Sequence, residues 1–313
     1  MDNLTHSLVG ALLGQAGLKK KTGLAMPALV LGANLPDVDA ACFFWLDGVG
    51  HLGFRRGITH GPIAWVLLPL VLAGLLYGWD RWQAKRGKRP DKRLPVSFKW
   101  LFLLSFIGCL SHPALDWLNS YGIRLLEPFS SQWFYGDILF IIDVWLWALL
   151  IGATWFSLRR EKKGGEWIKP ARVALAAMLA YIGVNAFITW SAEFSARHDA
   201  PYLPNQIAIA SPVPLAFWQR EMIVGGDGHY SIAGREAGDF DLTEDDKPDI
   251  AAAVPEAAPF LFWSRTPLVH VDENSRYWLT DARFFSPVGG RFAVELPAEL
   301  CEPTLPPPDF GDE

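Results

Sequence analysis

The chain has 313 residues, of which 51% are hydrophobic and only 19% charged, and it carries 15 Trp. That is more apolar side chain than one water-soluble core usually buries, so a second, apolar solvent is expected. The net charge of −5 is modest and the Lys and Arg residues gather in short clusters, which excludes a nucleic-acid partner and suits membrane topology signals. Cys42, Cys109 and Cys301 offer neither a disulfide framework nor a CxxC thiolate site.

The first residues, Met1 to Gly14, lack a basic region ahead of their apolar run and place His6 there, so they read as part of the mature fold and not as a cleaved signal. Leu4–Leu18 is predicted to be a helix that enters the bilayer without cleanly spanning it. Crossing a hydrocarbon core of about 30 Å takes roughly 20 helical residues. Leu24–Leu46, Ile58–Trp79, Phe98–Leu118 and Ile138–Leu158 are expected to do so, with Ala171–Trp190 as a fifth. The first of these is interrupted by Asn34-Leu35-Pro36-Asp37-Val38-Asp39, where proline removes a backbone donor and disfavours helix at Leu35. A break at membrane depth is tolerated only where protein or a wet cavity receives the freed polar groups.

Three basic clusters set the orientation: Lys19 to Lys21, Arg81 to Lys99, and Arg159 to Lys163. By the positive-inside rule all three are cytoplasmic, which makes Asp47–Gly57, Asn119–Asp137 and everything after Trp190 external; Arg55 and Arg56 are the dissenting charges. Beyond Trp190 the sequence becomes Pro-rich with short alternating runs. Phe217–Val224 and His229–Ala233 flank a hairpin turn at Gly225 to Gly228, and Phe260–Trp263, Arg276–Leu279 and Phe292–Leu296 also look like strands. The expected fold is an all-α, multi-pass membrane helical bundle over residues 1–190, a small β-rich external domain over 191–302 and a Pro-rich tail over 303–313.

The chemistry lies in where His and Asp fall. His6, Asp37, Asp39, His60, His112, Asp116 and Asp143 come at the ends of apolar segments, mostly toward the face that the charge clusters make external. Ionisable groups inside membrane segments are costly and mark functional sites. His112 and Asp116, four apart, share one helix face and can reach one cation. Two His plus carboxylates without Cys suit a divalent metal: zinc is favoured, with Mn, Fe or Mg also open. Asp37 and Asp39 equally suit capping and turn roles after Pro36, and Asp143 is balanced between ligand and buried hydrogen-bond partner. His51, His198, His229 and His270 lack matching partners and read as loop or strand positions.

The segments Asn3 to Ser7, Leu35 to Asp39, Arg56 to Gly61 and Ser111 to Gly122, continuing through Pro128 to Trp133 and Ile142-Asp143, together resemble the LexA-regulated, membrane-bound metal-dependent hydrolase family. The resemblance is strong over Met1–Leu150 and looser at Ala210 to Arg220 and Leu279 to Phe284. It implies a bacterial inner-membrane hydrolase with His6, Asp37, Asp39, His60, His112 and Asp116 as metal ligands. Many members carry a His before the Arg-Gly of the third motif and a Ser after its His, where this chain has Arg55 and Gly61. The ligand order is also similar, more weakly, to zinc-dependent phospholipase C.

The chemistry expected is attack of metal-activated water on an ester or phosphoester, with Asp39 or Asp143 taking the proton and Arg56 holding an anionic group of a lipid-linked or envelope substrate. Gly57 to Gly61 has His where a serine elbow needs its nucleophile. Two other classes fit the same residues: a metal or small-solute transporter, and a non-catalytic envelope scaffold in which metal staples helices.

Overall fold

The computed structural model describes residues 1–199, 206–285, 290 and 292–301. A helical N-terminal region is followed by a C-terminal region with two small antiparallel sheets. The helices are α1 (Asn3–Gln15), α2 (Ala25–Gly32), α3 (His51–Phe54), α4 (Pro62–Lys85), α5 (Phe98–Asp116), α6 (Val144–Lys162), α7 (Ile168–Asp199), α8 (Asp246–Ala253) and α9 (Ala257–Trp263). The strands are β1 (Ile207–Pro212), β2 (Arg220–Gly226), β3 (His229–Ile232), β4 (Arg235–Ala237), β5 (Pro267–Val271), β6 (Tyr277–Asp281) and β7 (Ala293–Leu296). The Pro-rich tail expected at 303–313 lies outside the described residues.

Among the described residues three helices, α4, α5 and α7, are long and apolar enough to cross a membrane by length and composition. In α4 and α7 only 22% of the most apolar stretch is buried, against 44% in α5, so α5 is the helix that the others surround. Leu67, Val71 and Leu75 on α4 and Val173, Leu179 and Phe187 on α7 are exposed, as side chains that meet lipid should be.

The break expected at Pro36 within Leu24–Leu46 is present, and the segment does not run on as a spanning helix. The chain is helical only over α2 and turns into a 3-10 segment, Leu35–Phe44, at the proline break. Nor does Ile138–Leu158 hold as drawn: Asp143 caps α6, whose last turn already carries Arg159, Arg160 and Lys162, so it falls short of the length-and-composition measure that α4, α5 and α7 meet.

Among the described residues, apolar clusters hold the bundle. Leu12, Leu115, Leu146, Leu150 and Ala174 join α1, α5, α6 and α7, while Ala28, Leu29, Ala73, Leu101 and Leu104 join α2, α4 and α5. Gly108 lets α5 close onto α2, because a Cβ there would stand 2.5 Å from the Leu29 carbonyl oxygen. Small residues at such contacts let membrane helices approach closely.

The chain divides into two compact units. One comprises Met1–Ala41, Arg56–Ser191 and Ser211–Arg220; the other comprises Cys42–Arg55, Ala192–Ala210 and Glu221–Glu313. In the second, β2 and β3 form the hairpin expected around Asp227-Gly228, with Gly226 opposite His229. Strands β5, β6 and β7 form the other sheet in that order. The aromatic run Phe260–Trp263, expected as a strand, is the end of α9. Phe260 and Trp263 are both fully buried, and a spacing of three places them on one helical face. Asp281, at the end of β6, pairs with Arg283 at 2.7 Å with both side chains fully buried, and accepts from the hydroxyls of Ser264 and Thr266.

Candidate metal centre

Four stretches of the first unit bring His and Asp side chains together. The Asp2 carboxylate caps α1, accepting from the amides of Leu4 and Thr5 at 3.0 and 3.1 Å, which fixes the turn that carries His6. The His6 ring stacks on His112 with centroids 3.8 Å apart. His112 and Asp116 come from the last turn and a half of α5. Asp37 and Asp39 come from the 3-10 segment, and His60 from a short 3-10 turn, Ile58–His60. Gly61 seats that turn, since a Cβ there would stand 1.9 Å from the Glu127 carbonyl oxygen.

The break at Pro36 supplies a backbone acceptor. The Asp37 amide bonds to the Asn34 carbonyl in 3-10 fashion, and Pro36 has no N–H to offer Ala33. The Ala33 carbonyl is therefore available to His112 Nδ1, which lies 2.7 Å away. A carbonyl only accepts, so Nδ1 carries the proton and Nε2 of the neutral ring presents a lone pair.

His60 is fixed in the same sense. Thr59 Oγ1 donates to Asp39 Oδ2 at 3.1 Å and so accepts from His60 Nδ1 at 2.9 Å, leaving Nε2 of His60 as a lone pair too. The two Nε2 atoms stand 3.2 Å apart. Asp116 Oδ2 is 3.8 Å from His60 Nε2 and 3.6 Å from His112 Nε2. Two lone pairs and a carboxylate oxygen at this separation repel one another unless a cation lies among them.

The Asp116 carboxylate faces the Arg56 guanidinium and the Met1 α-amino group, which contacts its Oδ1. His6 Nε2 approaches that same oxygen at 3.2 Å, while His6 Nδ1 and Asp116 Oδ2 are buried without a hydrogen bond. Among the described residues two groups of three could hold an ion, His60 with His112 and Asp116, and His6 with Asp37 and His112. The donor set, imidazole nitrogens and carboxylates with their outer atoms hydrogen-bonded, fits a divalent metal.

The structure thus brings His6, Asp37, Asp39, His60, His112 and Asp116 into one cluster, with unequal places. Asp37 Oδ1 is 3.8 Å from the inner nitrogen of His112, whereas Asp39 Oδ2 stands behind the outer nitrogen of His60 at 3.5 Å and accepts from the Arg56 amide at 2.7 Å. Arg56 is 4% exposed. Its Nε lies 3.0 Å from Asp116 Oδ2, its Nη1 donates to Asn119 Oδ1 and the Gly122 carbonyl at 3.1 and 3.0 Å, and its plane covers the Tyr121 ring. Asp143 makes its contacts elsewhere, accepting from the Leu146 amide that begins α6 and from the Tyr181 hydroxyl.

Thr59, Asn119 and Ala33 were not legible as site residues in the sequence. Thr59 and Asn119 stand inside the motifs that carry His60 and Asp116, which is the signal that could have raised them. A backbone carbonyl such as that of Ala33 leaves none.

Comparison with known proteins places this region in a family. Residues 1–192 match the model of the family described as YdjM inner membrane protein, and the chain belongs to that family. It is similar to the uncharacterized protein YfhP of Bacillus subtilis (strain 168), 25% identical over 167 residues, which are 50% of this chain and 47% of that protein. The chain therefore spans about half the length of this curated relative. No solved structure matches it.

Proposed function

We propose that this YdjM-family inner membrane protein is a metal-dependent hydrolase that cleaves an ester or phosphoester of a lipid-linked or envelope substrate. The observation that carries the reading is the inward pair of imidazole lone pairs on His60 and His112, 3.2 Å apart beside the Asp116 carboxylate. A divalent cation held there would supply Lewis acidity, bringing the pKa of water from roughly 16 to about 7 and polarising an ester or phosphoryl oxygen. Zinc suits the donor set best, with Mn or Mg as alternatives.

The side chains divide the remaining work. His60, His112 and Asp116 hold the ion, with His6 and Asp37 alongside. Asp39, acting through Thr59, keeps the proton of His60 on Nδ1 and its lone pair inward. Arg56 orients Asp116, and its Nη2 amino group lies outside the contacts made by Nε and Nη1, available to an anionic substrate oxygen. Asp37 is the carboxylate that solvent reaches, at 10% side-chain exposure against 1% for Asp116 and 2% for Asp39. It is our assignment for the group that takes the proton from water. The basic clusters put this face of the bundle, and the C-terminal region, on the periplasmic or outer side.

The test joins metal analysis of detergent-purified protein to a panel of phospholipid, lipid-phosphate and carboxyl-ester substrates. Hydrolysis that tracks metal content, stops on chelation and returns with added Zn or Mn supports the reading. Metal-replete protein that cleaves nothing in the panel counts against it. Burial of His6, His60 and His112 at 0% exposure favours one rival, a metal that only staples helices. In that case chelation lowers the unfolding temperature sharply and no substrate is cleaved.

A further inference from the structure

We propose that the cluster is a single-ion centre with three protein ligands, His60, His112 and Asp116, and an open fourth position, and that His6 stands outside it as a positioning residue that holds Asp116. This rests on the metal-centre reading above, and it decides between the two groups of three, which share His112. The Ala33 carbonyl accepts from Nδ1 of His112 at 2.7 Å. That ring therefore has one lone pair, on Nε2, and one lone pair serves one ion.

Ring geometry makes the choice, because an imidazole lone pair lies in the plane of its ring. The His60 and His112 rings are inclined by 58° and their Nε2 atoms are 3.2 Å apart. That is close to the roughly 3.3–3.4 Å between two nitrogens that each stand about 2.0–2.1 Å from one tetrahedral zinc. The His6 and His112 rings instead lie face to face, 18° from parallel with centroids 3.8 Å apart. Lone pairs in two such planes run side by side and do not meet within bonding distance of both rings. An ion on His112 Nε2 thus lies well off the plane of His6.

The polar contact of His6 gives it another task. Its Nε2 lies 3.2 Å from Asp116 Oδ1. An ionised carboxylate only accepts, so this nitrogen carries the proton and has no lone pair to offer an ion. Asp116 divides its oxygens accordingly, Oδ1 toward His6 and Oδ2 toward the imidazole pair, 3.8 Å from His60 Nε2 and 3.6 Å from His112 Nε2. Three protein ligands with one open position are the arrangement of catalytic zinc, whereas a structural site closes all four. Asp37 Oδ1, 3.8 Å from His112 Nε2, is near enough to meet water at that position.

The experiment counts zinc and its imidazoles in the full chain, purified in detergent, stripped with a chelator and reloaded with zinc alone. Elemental analysis should give one ion per chain, and X-ray absorption at the zinc edge should show two imidazoles. His6→Ala should keep both counts while holding zinc about 10–100-fold more weakly, the usual cost of losing an outer partner. His6→Gln, whose side-chain amide donates to Asp116 in the same way, should recover most of that affinity. Two ions per chain, three imidazoles in the parent, or a folded His6→Ala protein with one imidazole fewer than the parent overturns the proposal and leaves the metal-centre reading standing. A reloaded parent that binds no zinc removes that reading itself, and this proposal with it.

Discussion

His60 and His112 face each other through Nε2 atoms 3.2 Å apart, and each has its other ring nitrogen committed as a donor. Ligands that share one ion act as a unit, so their losses do not add. We expect His60→Ala, His112→Ala and the double variant to lose metal to about the same extent, read by elemental analysis on folded protein at matched yield. Full metal content in both single variants would remove the site.

Asp39 acts on His60 from behind, through Thr59. Removing such an outer partner typically costs about 10–100-fold in metal affinity or activity without emptying the site. Thr59→Val and Asp39→Asn should therefore weaken the metal dissociation constant by that order and keep the stoichiometry, whereas Asp37→Asn should lose activity at saturating metal. A Thr59→Val protein with the parent's metal affinity would show that the hydroxyl plays no such part.

Arg56 has a left-handed backbone, φ 55°, and a guanidinium shared among Asp116, Asn119 and Gly122. Arg56→Lys puts one point charge where a planar fork made several contacts, and breaking a buried charge pair costs about 3–5 kcal/mol. The variant should unfold at visibly lower denaturant concentration than the parent. Unchanged stability with lost turnover would make Arg56 a substrate clamp alone.

In the C-terminal region, burial by itself would raise the Asp281 carboxyl, but the Arg283 guanidinium against it and the bonds from Arg283 and Ser264 hold it below its ordinary value of 3.8. A carboxyl depressed in the folded state stabilises fully above its unfolded value, and that contribution is lost as pH falls through the lower folded value. Stability should thus be insensitive to this group from pH 7 to about 5 and decline below about pH 4. Asp281→Asn should be less stable at pH 7 and show a shallower acid decline, measured by thermal unfolding across that range. Parallel acid declines in the two proteins would rule the pair out as the source.

Topology is open to direct reading. A reporter fused after Trp190 should be active on the periplasmic or outer side of intact cells, and activity confined to the cytoplasm would reverse the orientation proposed for the metal cluster.

Much of the helical framework is local and therefore legible. The i,i+4 spacing of His112 and Asp116 puts their inner atoms 3.6 Å apart, and the two-residue spacing of Asp37 and Asp39 gives them different partners, His112 for one and His60 for the other. What escaped the sequence is set by contacts far along the chain. The break at Pro36 within Leu24–Leu46 is legible from the missing backbone donor, whereas the 3-10 course of Leu35–Phe44 beyond it is not. Phe260–Trp263 has strand-like aromatic content, but the burial of residues three apart against the second unit's core decides for helix. The place of Arg56 rests on Asn119 and Gly122, more than sixty residues later.

The carbonyl of Ala33 has a consequence for how this site can change over generations. A contact made by a main-chain atom survives any replacement of its own side chain, so substitution at position 33 can alter packing but cannot erase the acceptor that fixes His112. Vulnerability moves to position 36. There a residue with an N–H could bond back to Ala33 and take the acceptor away, so the tautomer of one histidine in α5 is guarded by a proline in another segment.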